Sequence, residues 1–315
     1  MYPQQETLMT TDSIPVIDFS PFIDGDAAAR AEVARQMRQA SSDWGFFYLA
    51  GCGMPQASLQ QAFADSQALF ALSDDAKQAV AWQNAESNRG YVGVRRERLD
   101  PNKPGDLKEA FNLAPEQPEG PRNLWPAELP AFRPQMEDFL QQCVATADRV
   151  LQAFALALQQ PEDFFVSAHD QHHHTLRLLH YPALPAGFSA QGGESRAGEH
   201  TDYGSITLLF QDDAGGLEVR TRAGDWIAAT PIPGTVVVNT GDLMQRWTNH
   251  VFCSTPHKVN LRSSNRERYS IAFFCHPNHN ADIRCISTCS DAENPPRYPP
   301  ISAGEHLLER LNATY

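Results

Sequence analysis

Three short stretches of this chain carry side chains that could do chemistry together. Gly198-Glu199-His200-Thr201-Asp202-Tyr203-Gly204 sets an imidazole and a carboxylate two residues apart. In extended backbone, residues i and i+2 project from one face, so the two groups would point the same way. Ser254-Thr255-Pro256-His257-Lys258-Val259 brings a second histidine to the head of a later strand, which could run antiparallel and close to the first. Arg268-Tyr269-Ser270 puts a guanidinium and a hydroxyl on one strand face, with Tyr269, Ile271 and Phe273 on the other.

Two imidazoles and one carboxylate form the facial donor set that holds Fe(II) by one side. Three N/O donors occupy one face of an octahedron. The opposite face stays open, two positions for a chelating cosubstrate and one for O2. Arg268 with Ser270 beside it could clamp the far carboxylate of a 2-oxo diacid through charge-assisted hydrogen bonds. A His-x-Asp tripeptide alone is a weak signal, because so short a pattern recurs by chance. The signal strengthens when the second histidine and the Arg-x-Ser follow in order, each on a predicted strand.

The elements that must position these groups can be read from periodicity. Ser13 to Phe19 reads as an entering strand, and Ala27–Ala40 as a helix with Val33, Met37 and Ala40 on one side. Trp44–Ala50 is an aromatic, apolar run bounded by Gly51 and Gly53, which predicts a buried strand. Leu59, Phe63, Leu69 and Phe70 predict a second helix. Residues 83–130 are rich in Pro, Gly, Arg and Asn and show no sustained period, so they read as loop with short strands at Gly90–Val92 and Glu109–Phe111. Met136, Phe139, Leu140, Cys143, Val144, Ala147, Val150, Leu151 and Phe154 then recur at three and four residues, the mark of a long amphipathic helix.

After about residue 170 the period becomes two. Apolar runs at Thr175–Tyr181, Ile206–Phe210, Leu217–Arg220, Trp226–Ala229, Val236–Asn239, Lys258–Leu261 and Tyr269–Phe274 are separated by turn signals such as Asp213-Ala214-Gly215-Gly216 and Gly241-Asp242. The expected class is mainly β with flanking α-helices, built on a jelly-roll core. Leu307, Leu308 and Leu311 predict a closing helix over Gly304–Tyr315. With no internal repeat and no dividing linker, the expected organisation is one domain over 1–315. It comprises an N-terminal region with helices and a substrate-side loop at 13–130 and a catalytic core at 170–280.

Composition bounds the function classes. The 315 residues are 42% hydrophobic, 20% charged and 10% aromatic, an ordinary globular balance. The net charge of −13 argues against a nucleic-acid partner, because phosphate binding needs clustered Lys and Arg. No apolar run approaches the roughly 20 residues of a membrane span. The start, MYPQQETLMTTD, has no basic and apolar leader pattern and reads as a loose tail. Six dispersed cysteines read as reduced thiols, so a cytoplasmic location is expected. Cys285 and Cys289 read as structural thiols rather than half of a zinc site.

On these residues the chain resembles the isopenicillin N synthase-like branch of the 2-oxoglutarate- and iron(II)-dependent dioxygenases. Ser13-Ile14-Pro15-Val16-Ile17-Asp18 and Trp44-Gly45-Phe46-Phe47 are similar to that branch's N-terminal elements. His200-Thr201-Asp202, Gly215-Gly216-Leu217, Ser254-Thr255-Pro256-His257 and Arg268-Tyr269-Ser270-Ile271-Ala272-Phe273-Phe274 match its catalytic half in order and spacing. The resemblance implies a double-stranded β-helix core. It implies Fe(II) on His200, Asp202 and His257, and the 2-oxoglutarate carboxylate on Arg268 and Ser270, with Tyr181 as a further contact. Leu179 stands where plant members usually carry Asn. The implied reaction couples decarboxylation of 2-oxoglutarate to succinate and CO2 with hydroxylation, desaturation or cyclisation of a small organic substrate.

Three alternatives stay open at this stage. One is a four-electron oxidase of the isopenicillin N synthase kind, which uses Fe(II) and O2 without 2-oxoglutarate. Another is an ethylene-forming fragmentation of 2-oxoglutarate. The third is a non-catalytic β-barrel binding module. Substrate contacts are expected from Tyr91, Arg95 and Phe111 of the irregular segment, from Tyr203 after the His-x-Asp and from Phe274 on the Arg268 strand. His172-His173-His174, with His169 nearby, reads as structural, because consecutive side chains on a strand cannot easily meet at one ion. The sequence sets no oligomeric state.

Overall fold

Alternation along the later strands dictates two faces for each, one turned toward a helical layer and one toward a second sheet. The computed structural model describes residues 13–84, 87–99, 103–185, 188, 193–261 and 265–314. The tail expected at residues 1–12 lies outside them. In chain order the first half contains β1 (Val16–Asp18), α1 (Ser20–Asp24), α2 (Ala27–Asp43), β2 (Phe46–Ala50), α3 (Gln56–Phe70), α4 (Asp74–Ala79), β3 (Gly90–Val92), β4 (Glu109–Leu113) and α5 (Phe132–Ala157). The second half contains β5 (Thr175–Tyr181), β6 (Ala197–His200), β7 (Ile206–Gln211), β8 (Leu217–Arg220), β9 (Trp226–Ala228), β10 (Thr235–Thr240) and α6 (Asp242–Trp247). It ends with β11 (His257–Val259), β12 (Arg268–Cys275), β13 (Asp282–Ile283), β14 (Ile301–Ser302) and α7 (Ala303–Thr314).

Eight strands form one sheet in the order β1-β2-β10-β7-β12-β5-β4-β3, so strands of both halves share it. A four-stranded sheet, β6-β11-β8-β9, faces it. This is a double-stranded β-helix, the jelly-roll core expected from the strand spacing. The outer face of the large sheet buries Phe47, Leu49, Phe111, Leu176, Leu178, Leu208, Val236, Val238, Ile271 and Phe273 against the helices. On α5, Met136, Phe139, Cys143, Ala147, Val150, Leu151 and Phe154 are each at most 1% exposed. Its apolar stripe is therefore the wall that this sheet packs on. Burying each such phenylalanine contributes about 2–3 kcal/mol.

Local chemistry fixes the element ends. Asp26 caps α2 by accepting hydrogen bonds from the Ala28 and Ala29 amides at 3.1 and 2.9 Å. Between α2 and β2, Gly45 has φ +65°, and an added Cβ would stand 2.3 Å from the Cys253 carbonyl oxygen. Only glycine allows that left-handed turn and that close approach together.

Between the two sheets lie two apolar clusters. Ile14, Phe46, Tyr48, Leu217, Val219, Ala229 and Val237 fill one end. Val92, Ala110, Leu179, Tyr181, Ala197, Val259 and Ala272 line the other.

The structure corrects several readings. The strand at the second histidine is His257–Val259 rather than Lys258–Leu261. Gly241-Asp242, read as a turn signal, opens helix α6. The strand bearing the first histidine ends at His200, and Asp202 lies beyond it. The carbonyls of Asp202, Tyr203 and Ser205 accept from the Asp242, Leu243 and Gly241 amides instead of from a neighbouring strand. His200 and Asp202 therefore converge through a turn held by a helix start, not through strand alternation.

Candidate metal centre

His257 pairs directly with His200 across β6 and β11, and with Val219 of β8 on its other side. The register then slips, so that Val259 faces Ala197. That extra residue on β6 lets Ala197 and His200 both face inward, which strict alternation would forbid. The imidazole rings of His200 and His257 lie 4.3 Å apart. Phe46 packs edge-on against His257 at 5.1 Å.

The hydrogen bonds define which atoms are free. His200 Nδ1 donates to the Gly198 carbonyl at 2.8 Å, and His257 Nδ1 donates to the Thr255 carbonyl at 3.1 Å. A carbonyl only accepts, so both protons sit on Nδ1 and both Nε2 lone pairs are bare. Those lone pairs face Asp202 Oδ1 at 3.9 and 3.7 Å, too far for hydrogen bonds. Asp202 Oδ2 is held separately, by Thr207 Oγ1 at 2.6 Å and Asn239 Nδ2 at 2.7 Å. One donor atom from each of His200, Asp202 and His257 falls within 4.8 Å of the others.

Three electron-rich atoms facing one another repel unless a cation lies between them. The outer hydrogen bonds orient each donor as metal sites require. Two neutral nitrogens and one anionic oxygen suit Fe(II), so the residues present fit that ion. Burial, and then the neighbouring His257, push the His200 pKa down to about 4. Burial alone would raise the Asp202 carboxyl, but the imidazoles and the two hydrogen bonds outweigh it and hold it low. Both shifts favour the deprotonated forms that bind metal.

Arg268 lies inside the core at 1% exposure. Its Nε donates to the Gly215 carbonyl at 2.8 Å, Nη1 to Ser270 Oγ at 2.9 Å and Nη2 to Gln211 Oε1 at 3.1 Å. One N–H remains on each terminal nitrogen, the pair a carboxylate takes bidentately. The guanidinium also lies over the Tyr181 ring at 4.7 Å. Among the described residues, no carboxylate pairs with it.

The other expected contacts separate by strand face. Ala272 and Phe274 follow Arg268 and Ser270 on the inner face of β12, and Phe274 packs against the Tyr181 cluster. Tyr91 and Phe111 instead face the helices: both belong to the outer core, and the Tyr91 hydroxyl donates to Glu109 at 2.5 Å. Their neighbours Val92 and Ala110 take the inner positions. Arg95 is an exposed rim residue 3.6 Å from Glu194. Tyr203 lies under the Arg310 guanidinium of α7 at 5.2 Å. His173 stacks on His279 at 4.2 Å, and His169 and His174 are buried in the same histidine cluster.

Sequence reasoning missed a buried ionic group close to this inner face. Lys108 lies 2.9 Å from Glu97 and 2.5 Å from Asp106, and Arg177 lies 2.7 Å from Glu97. Burial would lower the Lys108 pKa, but Glu97 and Asp106 outweigh it and hold the ammonium charged. Alternation around Phe111 and Leu178 was the available signal, since Lys108 and Arg177 stand on the opposite strand face.

Comparison with known proteins agrees with this geometry. Residues 14–131 match the profile described as non-haem dioxygenase in morphine synthesis N-terminal, and residues 172–277 match the 2OG-Fe(II) oxygenase superfamily. The chain is 34% identical to the 2-oxoglutarate-Fe(II) type oxidoreductase hxnY of Emericella nidulans, over 98% of this chain and 92% of that protein. It is 33% identical to the proline hydroxylase buaE of Petromyces alliaceus, over 95% of this chain and 98% of that one. The crystal structure of Neurospora crassa T7H with alpha-KG (2-oxoglutarate) and thymine superposes with a TM-score of 0.89 at 40% identity, covering 96% of this chain and 97% of that one. With two histidines and an aspartate converging between its sheets, the chain belongs to the 2OG-Fe(II) oxygenase superfamily, in its isopenicillin N synthase-like branch.

Proposed function

We propose that His200, Asp202 and His257 hold the iron of this Fe(II)/2-oxoglutarate-dependent dioxygenase, and that Arg268 and Ser270, with Tyr181 against the guanidinium, hold the distal carboxylate of 2-oxoglutarate. The observation that carries this reading is the convergence of three bare donor atoms within 4.8 Å. Iron with 2-oxoglutarate and O2 supplies the oxidising power for the substrate C–H bond, releasing succinate and CO2. The chain's residues do the rest. The Gly198 and Thr255 carbonyls fix the histidine tautomers, and Thr207 and Asn239 aim the Asp202 carboxylate. Burial of Arg268 and its cluster keeps water from the distal carboxylate and strengthens the ion pair.

The substrate is a small organic molecule, placed against Phe274, Ala272, Val92 and Ala110, with the Lys108–Arg177 group supplying polar contacts. Thymine is the first compound to try, because T7H at 40% identity is solved with it. The chain works as one unit over 1–315, in the cytoplasm, without a nucleic-acid partner. Strands from residues 13–130 complete the sheet of the 170–280 core. Among the described residues, no helix is long and apolar enough to cross a membrane.

The test is anaerobic. Fe(II) is added to the metal-free protein and 2-oxoglutarate is titrated while the visible charge-transfer band is followed. A saturable band, lost in His200→Ala and weakened in Arg268→Ala, is expected. Full affinity for 2-oxoglutarate in Arg268→Ala would overturn the clamp assignment. Succinate release with thymine against a panel of small heterocycles and amino acids then tests the substrate.

A further inference from the structure

Beside the clamp lies a second arginine that the metal centre does not use. Arg196 precedes β6 and is 0% exposed. Its Nη2 donates to the Arg266 carbonyl at 2.6 Å and to the Pro182 carbonyl at 3.1 Å. Nε and Nη1 are buried and, among the described residues, have no hydrogen-bond partner, which leaves three of the five N–H groups unmet there. Among the described residues, no carboxylate forms an ion pair with it.

Both of its carbonyl partners belong to the clamp's own segments. Arg266 is two residues before Arg268. Pro182 follows Tyr181, whose ring lies under the Arg268 guanidinium. Burial first, and the Arg268 charge second, hold the Arg196 pKa below the usual arginine value. The nearby Asp212 carboxylate supplies one negative charge and is itself fixed by the Tyr269 and Ala214 amides. Among the described groups that act on Arg196, two guanidiniums, its own and that of Arg268, stand against the one carboxylate of Asp212, an excess of one positive charge. Leaving such a group without an anion is costly, so the site favours a ligand that brings one.

We propose that Arg196 is a second recognition residue for the distal carboxylate of the cosubstrate, and that with Arg268 it makes the protein select a 2-oxo diacid over a 2-oxo monoacid. This rests on the assignment of that carboxylate to Arg268. The arriving carboxylate brings the local charge to zero. The selectivity is electrostatic, so it depends on the distal charge and not on the 2-oxo acid group at the iron.

The experiment compares 2-oxoglutarate with 2-oxopentanoate, which has the same chain length and no distal carboxylate. Dissociation constants are measured anaerobically with Fe(II) from the visible band, for the wild type and for Arg196→Met, Arg196→Lys and Arg268→Ala. Arg196→Met is expected to weaken 2-oxoglutarate about tenfold or more and to leave 2-oxopentanoate within about twofold. Its metal-free Tm should be unchanged or raised, because an unpaired buried charge is removed. Equal weakening of both acids, or none, overturns the proposal. Should Arg196→Met not fold, Arg196→Lys carries the test: a several-fold loss for the diacid alone is expected, and no loss overturns it. If the wild type binds both acids alike and Arg268→Ala changes neither, the clamp assignment itself fails, a different pattern from failure of Arg196 alone.

Discussion

Asn239 Nδ2 donates to Asp202 Oδ2 at 2.7 Å, from a strand of the large sheet to a turn beyond the small one. With Thr207 Oγ1 at 2.6 Å it occupies one carboxylate oxygen and leaves the other facing the two histidines. The aspartate is thereby aimed by Thr207, five residues on, and by Asn239, 37 residues on in another strand of the same sheet. Asn239→Ala is expected to weaken Fe(II) binding about tenfold, with 2-oxoglutarate affinity of the iron-loaded protein little changed. Metal titration of the purified variant checks this, and unchanged metal affinity would contradict the role given to Asn239.

Asp242 ties both ligand-bearing segments to the C-terminal helix. It accepts from Thr201 Oγ1 at 3.1 Å and Ser254 Oγ at 2.6 Å, and Arg310 Nε lies 2.9 Å away. Asp242→Ala leaves these groups without their shared acceptor. The expected cost is about 1–3 kcal/mol of stability, together with a weaker metal site. Asp242→Asn should fall between. Thermal unfolding with and without Mn(II) separates the two effects.

Face assignment gives opposite outcomes for neighbouring residues. Tyr91→Phe removes a hydroxyl bonded to Glu109 on the helix side and should cost about 1 kcal/mol while sparing kcat/KM. Ala110→Leu intrudes on the inner face and should raise KM for the organic substrate, with the 2-oxoglutarate band intact. A fall in kcat/KM on Tyr91→Phe without a loss of stability would mean that the ring reaches the substrate after all.

The histidine cluster near the start of β5 makes stability depend on pH. Burial pushes the His169 pKa down to about 4 and the His174 pKa well below its ordinary value. The folded state therefore keeps these rings neutral where the unfolded chain would protonate them. Their contribution is whole above pH ~6.5 and is lost as pH falls toward 4, up to about 3 kcal/mol for His169. Urea midpoints from pH 7.5 to 4.5 should fall, and His169→Gln should flatten the slope. An unchanged slope in that variant would place the acid sensitivity elsewhere.

Much of the site was legible because it rests on short-range rules. The order His-x-Asp, His, Arg-x-Ser needs only residue types and spacing, and period-two alternation correctly put Arg268, Ser270 and Phe274 on one face of β12. The N-terminal aromatics were harder. Tyr91 and Phe111 sit on strands of three and five residues, too short for a period to declare which side is inner. Only the pairing of β4 with β5 and the position of α5 decide it. The convergence of His200 with Asp202 was expected for the wrong reason, since a turn pinned by α6 brings it about.

The amino-acid sequence by itself determined the strand-rich core, the scaffold helix and the residues proposed as donor set and clamp, because each follows from local periodicity or from the chemistry of a few side chains. The tertiary structure alone decided which oxygen of Asp202 faces the two histidines, which face of the edge strands turns inward, and that Arg196 is buried with no carboxylate paired to it among the described residues. Those facts depend on register across strands far apart in the chain, on one extra residue in β6 and on what lies above each sheet. No property of a single segment encodes them.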